Sequence, residues 1–413
     1  MPNVYYNGCM KYFFLFSFFI TSFSISWLRA GDISFLSYEK QTILHQQQEI
    51  YDFEYEKLRT NWIAPINLNA SYEYDKSAMG DYHSDVKSAS ASMSQDIFRS
   101  GGISYQIQYA DAKMQANTIA FQMQTASLNQ QLFTALLTYK KSLLQLEQSK
   151  LRLDNKQIEI FIKRHLYDVG KADITELNNA LMAKSAELKT YATARYTISQ
   201  QRFEIAKISD IDPEKFIIPH FTLVPKKDYL ENQLDLRYTR AQSDTLHNLY
   251  RVTSSNYLPS VALNGNVGYK NYTPKELSDG YSGNTYGVGI SLTVPLVYNA
   301  SATIQEAKAS YLKEVALSVD KQRELESTYR QSIEKIESYQ EYITITANNF
   351  ALYDDLIQAA QAGVNVGTKT GYDLQTLKNS KRVEELEIKI NEIDIQMELA
   401  KLHFSLKTSK DIL

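Results

Sequence analysis

Residues 256–308 narrow the choices for this chain more than any other stretch. After Pro259, Val261, Leu263, Val267 and Tyr269 alternate with Ala262, Asn264, Asn266 and Gly268. A loop rich in Gly, Ser and Asp follows. Tyr286, Val288, Ile290, Leu292, Val294 and Leu296 then alternate with Gly287, Gly289, Ser291 and Thr293. One face of this hairpin is apolar with aromatic ends, and the other is small and polar. That is the reverse of a soluble core and the pattern of a membrane barrel with a wet interior. From about Ala302 the period changes from two to 3.6, and a very long helix begins.

The same pattern occurs earlier. After Pro65, Ile66, Leu68, Ala70, Tyr72 and Tyr74 alternate with Asn67, Asn69, Ser71 and Glu73. Ala89, Ala91 and Met93 then alternate with Ser88, Ser90, Ser92 and Ser94. Past Gly101 and Gly102 a helical pattern runs to about Leu166 without Pro or Gly. Roughly 63 residues at ~1.5 Å each make a rod of about 95 Å. Two sevenfold stripes mark it: Leu132, Tyr139, Leu146, Leu153, Ile160, and Leu137, Leu144, Leu151, Ile158. Two stripes predict helical neighbours on two sides. Val169-Gly170 turns the chain into a return helix, and Val366-Gly367 does so again. The two halves therefore repeat with a period near 197, which reads as an internal duplication.

The expected organisation is a signal peptide at 1–30 and a first repeat at 31–208. That repeat holds a hairpin at 66–98, a long helix at 103–166 and a return helix at 175–207. An irregular connector follows at 209–233. The second repeat, 234–413, holds a hairpin at 260–297, a long helix at 302–363 and a return helix at 372–408. Lys11 and the apolar run from Tyr12 to Trp27 read as a secretion signal ending at Ala30, with Met10 as a candidate start. The sole cysteine, Cys9, precedes that run. The net charge of −3 makes no claim on nucleic acid.

Four strands cannot close a barrel, and an eight-stranded interior is filled by side chains. A conduit therefore needs at least three chains, and a cyclic homotrimer is the economical answer. The fold class expected is membrane α+β, a trimeric barrel continued by a long α-helical barrel. Tyr72, Tyr74, Tyr269, Tyr272 and Tyr286 are expected at the membrane interface, ring half buried and hydroxyl wet. Six scattered histidines lack metal-ligand spacing, and neither GxSxG nor a phosphate loop is present. No enzyme, metal or cofactor is expected. The competing reading is a secreted or periplasmic coiled-coil or adaptor protein, which has no use for two amphipathic hairpins.

Pro65 and Pro259 before the strands, SLTVPLVYNASATIQEAKAS at 291–310 and the paired turns LYDVGKADITELNNA at 166–180 and VNVGTKTGYDLQTLKNS at 364–380 carry a family resemblance. In order and spacing the chain resembles the TolC-like outer-membrane efflux proteins. The resemblance implies a barrel in the outer-membrane lipid and a periplasmic helical tunnel. It also implies docking to a periplasmic adaptor and an inner-membrane pump. By position, Thr175, Glu176, Lys369 and Asp373 resemble the family's gate and constriction residues, and a Glu176–Lys369 contact is the expected latch. Val169, Gly170, Val366 and Gly367 resemble the tip turns that meet the adaptor. Val364 and Thr376 depart, standing where the family example has a tyrosine and a second ring aspartate. The constriction is therefore expected to be less acidic.

Overall fold

The computed structural model describes residues 33–76, 83–274 and 280–407. The expected signal peptide and residues 408–413 lie outside them. The elements in order are α1 (Tyr38–Thr60), β1 (Asn67–Lys76), β2 (His83–Phe98), α2 (Gly102–Asp168), α3 (Ile174–Ala206), α4 (Lys226–Asn232), α5 (Leu234–Ser255), β3 (Ser260–Pro274), β4 (Tyr281–Thr293), α6 (Ala300–Asn365) and α7 (Gly371–Phe404). With α4 set aside, helix, hairpin, long helix and return helix occur twice in that order.

The strands form one antiparallel sheet in the order β1-β2-β3-β4. The two hairpins are thus joined at β2–β3, and β1 and β4 are open edges. A bulge between Asp96 and Phe98 shifts the β2–β3 register where the sheet meets the helices. Ser100 and Gly101, both at positive φ, turn the chain from β2 into α2. The Ser100 hydroxyl donates to Pro259 O at 2.7 Å, which ties the entry of β3 to that turn. β4 ends at Thr293, short of the expected 297. Pro295 has no N–H to give a ladder, so Val294 and Leu296 lie beyond the strand.

Each long helix spans about 100 Å. α2 packs on α1 and α5 along its sheet-side half and on α3 and α7 along its other half, while α6 packs on α5 and then α7. The short helices meet end to end. Where α3 gives way to α1, Ser37 N donates to Ile208 O at 2.9 Å. Where α7 gives way to α5, Leu234 N donates to Ser405 O at 2.9 Å and Lys407 N to Asn232 O at 2.7 Å.

The main core lies at this mid-height junction. Phe133, fully buried, has ring centroids of Phe35, Phe216, Phe221 and Phe404 within 5.2–6.0 Å. The connector between the halves supplies Phe216 and Phe221. The connector was expected to be irregular, but it includes α4, which starts directly after Pro225. Tyr229 of α4 is buried against Tyr329 of α6.

The expected leucine stripes of α2 are deeply buried only near this core, at Leu132, Leu137 and Tyr139. Further down, Leu144, Leu146, Leu151 and Leu153 are half-buried, and Ser142, Gln148 and Ser149 take the closed positions. On α2 the lower wall is thus closed by small or hydrogen-bonded polar residues, while Leu386 and Ile390 of α7 stay deeply buried.

Candidate functional site

Two places bear on function: the inner face of the sheet and the tip where the long helices turn back.

The strand register sets the two faces. On one, Leu68, Ala91, Val267 and Tyr286 lie abreast, and Leu263 pairs with Ile290. Tyr286, Val288, Ile290 and Leu292 are 89, 85, 73 and 69 % exposed, so this apolar face has no protein cover in the chain. On the other face, Ser94 Oγ donates to Asn264 Oδ1 at 2.6 Å, and Asn264 Nδ2 donates to Ser291 Oγ at 2.9 Å. Ser71 and Ser88 share a 2.7 Å bond. This face is mostly Ser, Asn, Thr and Gly, and Glu73, Asp75, Asp96 and Lys270 are its charges.

Tyr72, Tyr74, Tyr269 and Tyr286 stand on the apolar face. Tyr72 donates to Asp85 at 2.6 Å, and Tyr74 bonds His83 Nδ1 at 2.8 Å. Tyr272 does not join them. It pairs with Val86 and Tyr281 on the polar face, in step with Asn266 and Gly268. It lies three positions on from Tyr269, and an odd offset along a regular strand reverses the face. Its ring packs on Tyr281 at 5.6 Å instead.

At the tip, both long helices end on a left-handed glycine, Gly170 at φ 72° and Gly367 at φ 78°. Gly170 N donates to Tyr167 O at 2.9 Å and Gly367 N to Val364 O at 3.2 Å. Val169 and Val366, just before them, are exposed. A Cβ on either glycine would meet nothing within 4 Å. Substitution there therefore acts through the backbone alone. Gly170→Ala is expected to cost about 1–2 kcal/mol locally, and Gly170→Asn much less, since asparagine tolerates this conformation. Hydrogen exchange of the 169–172 amides would accelerate in the alanine variant and hardly at all in the asparagine one.

The return helices are capped in related ways. Asp173 accepts from Thr175 N and from the Thr175 hydroxyl, both at 3.3 Å. Thr370 and Asp373 form a capping box: Thr370 Oγ1 accepts from Asp373 N at 3.2 Å, and Asp373 Oδ2 accepts from Thr370 N at 2.9 Å. The bonds this carboxylate accepts from the Thr370 N–H and, also at 2.9 Å, from the Thr370 hydroxyl, with the Lys369 charge beside them, hold it below its ordinary range. Glu176 pairs with Lys163 of α2, not with Lys369. Lys163 lies opposite it across the α2–α3 hairpin and takes the carboxylate first. Lys369 and Asp373 line a groove on α2 and α7 together with Arg152, Lys163 and Thr376. Sequence reasoning missed Lys163. The Thr-x-x-Asp spacing of the cap was there to be read.

Among the described residues no group of His, Cys, Asp and Glu has the arrangement of a metal site, and no helix is long and apolar enough to cross a membrane.

The profile of the outer membrane efflux protein family matches residues 45–209 and 227–389. Outer membrane protein TolC of Vibrio cholerae is 24% identical over 347 residues, covering 76% of this chain and 75% of that protein. The crystal structure of the outer membrane protein VceC of Vibrio cholerae superposes with a TM-score of 0.70 at 14% identity, covering 88% of this chain and 93% of that one. The Campylobacter jejuni CmeC outer membrane channel gives 0.68 at 12% identity, covering 92% and 86%. The open state of the Neisseria gonorrhoeae MtrE outer membrane channel gives 0.64 at 15%, covering 93% of each.

Proposed function

Because this chain belongs to the outer membrane efflux protein family and is an outer-membrane efflux channel, we propose that three copies close its four-stranded sheets into one twelve-stranded barrel. A single observation carries this. The sheet ends in open strands, β1 and β4, while its outward face is bare of cover. An open apolar sheet is untenable in a bilayer, and ring closure removes both edges at once. The helical wall has matching open sides. α3 exposes Ile174, Leu181 and Leu188, and α6 exposes Tyr342, Ile345 and Leu352. The repeated element order and the two stretches matched by one family profile support an internal duplication.

The assembled ring is a passive exit duct, open through its Ser/Asn/Gly lining and gated at the periplasmic tip. It serves a tripartite efflux or type I secretion system. Val169, Gly170, Val366 and Gly367 meet a periplasmic adaptor, which couples the duct to an inner-membrane pump. Thr175, Glu176, Lys369 and Asp373 ring the constriction. The Glu176–Lys163 pair is exposed and worth only ~0–1 kcal/mol, which suits a contact that a partner has to release.

Detergent-dependent, heat-modifiable three-chain species in the outer-membrane fraction are the expected result, and a soluble single chain would sink the reading. Bilayer conductance then tests the tip, where Asp373→Asn is expected to lower cation selectivity. Asp373 also predicts a pH effect. Its carboxyl is depressed in the folded chain, so its cap is fully effective above the unfolded carboxylate value and is lost as pH falls through the folded one. Exchange at the start of α7 should therefore speed up in acid, and Asp373→Asn should abolish that dependence.

A further inference from the structure

The α2–α7 seam carries a ladder that the conduit reading leaves unexplained. Lys141 Nζ donates to both carboxylate oxygens of Asp394 at 2.7 Å, and the Asp394 side chain is 8% exposed. One heptad further along α2, Gln148 Nε2 donates to Glu387 Oε2 at 2.6 Å and to Val383 O at 3.3 Å. One heptad further again, Asn155 Nδ2 donates to Ser380 Oγ at 3.2 Å, and Asn155 Oδ1 accepts from Asn379 Nδ2 at 2.8 Å. The partners 394, 387 and 380 step along α7 by sevens, so one antiparallel register meets every rung. Gln148 and Asn379 are 4 and 5 % exposed.

The tip glycines are 197 positions apart (367 minus 170), which fixes the equivalent positions in the other half. Lys141, Gln148 and Asn155 correspond to Ser338, Ile345 and Leu352 on α6. Asp394, Glu387, Ser380 and Asn379 correspond to Thr197, Thr190, Ala183 and Met182 on α3. Every rung becomes uncharged, and most become small or apolar. Ile345, Leu352 and Met182 are 51, 63 and 63 % exposed, on helices at opposite edges of the wall.

We propose that the ladder is an address: α2 carries its own α3 on one side, and the ladder directs α7, rather than the α3 of a second copy, onto the side that bears Lys141, Gln148 and Asn155, reserving α6 for that second α3. This rests on the ring reading and commits the occupant of the α6 edge to the same register, with Ile345 opposite Thr190 and Leu352 opposite Ala183 and Met182. The discrimination is electrostatic. A second copy's α3 docked on the ladder face of α2, in the place of α7, would bury Lys141 against Thr197, with no carboxylate to pair it, and an uncompensated buried charge is strongly disfavoured. The α6–α3 pair carries no such charge. A buried polar residue that fixes partner and register is the best-attested use of such groups in coiled helices.

Two measurements test it. The chain has one cysteine, Cys9. Oxidation of the Ile345→Cys/Thr190→Cys protein should therefore produce covalent species of two and three chains. An assembled ring in which that pair links only within a chain, or not at all, overturns the proposal. In native mass spectrometry from detergent, Lys141→Asp alone and Asp394→Lys alone should each lose the uniform three-chain species. The double swap should restore it. Single variants that assemble like the wild type, or a double swap that restores nothing, also overturn it. A wild type that is a single chain fails the ring reading first and takes this inference with it.

Discussion

Ile290→Arg should leave the chain unable to settle in the outer membrane. Ile290 is opposite Leu263 on the outward face and 73% exposed in the chain. An arginine on the lipid face costs about 2–4 kcal/mol near the bilayer midplane. In the proposed ring that cost recurs in every copy, against a total stability of only ~5–15 kcal/mol for an ordinary domain. The expected readout is disappearance of the heat-modifiable band and accumulation of unassembled chain. Ser90→Arg is the control. Ser90 pairs with Asn69 and Gly268 on the polar face, so the same arginine points into water. That variant should insert normally and change conductance. Equal insertion of both variants would mean that neither face is set against lipid, and failure of Ser90→Arg alone would mean that the faces have been assigned the wrong way round.

Phe133→Ala should be the most damaging change away from the membrane. Phe133 is fully buried at the point where α2 passes the joints between the short helices. Removing a buried phenylalanine costs ~3–5 kcal/mol. Four rings surround this one, so the cavity has little means of collapsing, and ~0.5–1.5 kcal/mol for each aromatic pair is lost as well. A clear drop in the guanidinium midpoint in detergent is expected. Lys227→Ala, on the exposed side of α4, should stay within about 0.5 kcal/mol of wild type. A Phe133 variant as stable as that control would show that the mid-height cluster does not hold the halves together.

Much of the fold was legible because two simple periods dominate the chain. Val261 to Tyr269 and Tyr286 to Leu292 announce their faces by alternation alone. Between Gly102 and Gly170 the sevenfold spacing of apolar residues, uninterrupted by Pro or Gly, marks one continuous helix. Tyr272 shows the limit of composition: an aromatic near a strand end looks like an interface residue until its parity is counted. The ladder was missed for a different reason. A heptad scan that scores only leucine and isoleucine passes over Lys141, Gln148 and Asn155, although their spacing is equally regular. The Phe133 cluster draws on α2, α7, the connector and Phe35, just ahead of α1. No local pattern joins residues so far apart in the chain. At the tip, Gly170, Gly367 and the caps were readable from turn chemistry. The pairing of Glu176 with Lys163 depends on how α3 folds back on α2.

The end-to-end joints between the short helices have a mechanical consequence. α2 and α6 run unbroken from sheet to tip, while the columns α3–α1 and α7–α5 each consist of two helices that meet at mid-height, joined by backbone bonds and by the core around Phe133. A push at the tip therefore reaches the sheet through only two rigid spars per chain. Bending of the wall is expected first at the joints of the spliced columns, where no helix runs through. Large excursions of the lower wall would then leave the upper wall, and the barrel above it, nearly still.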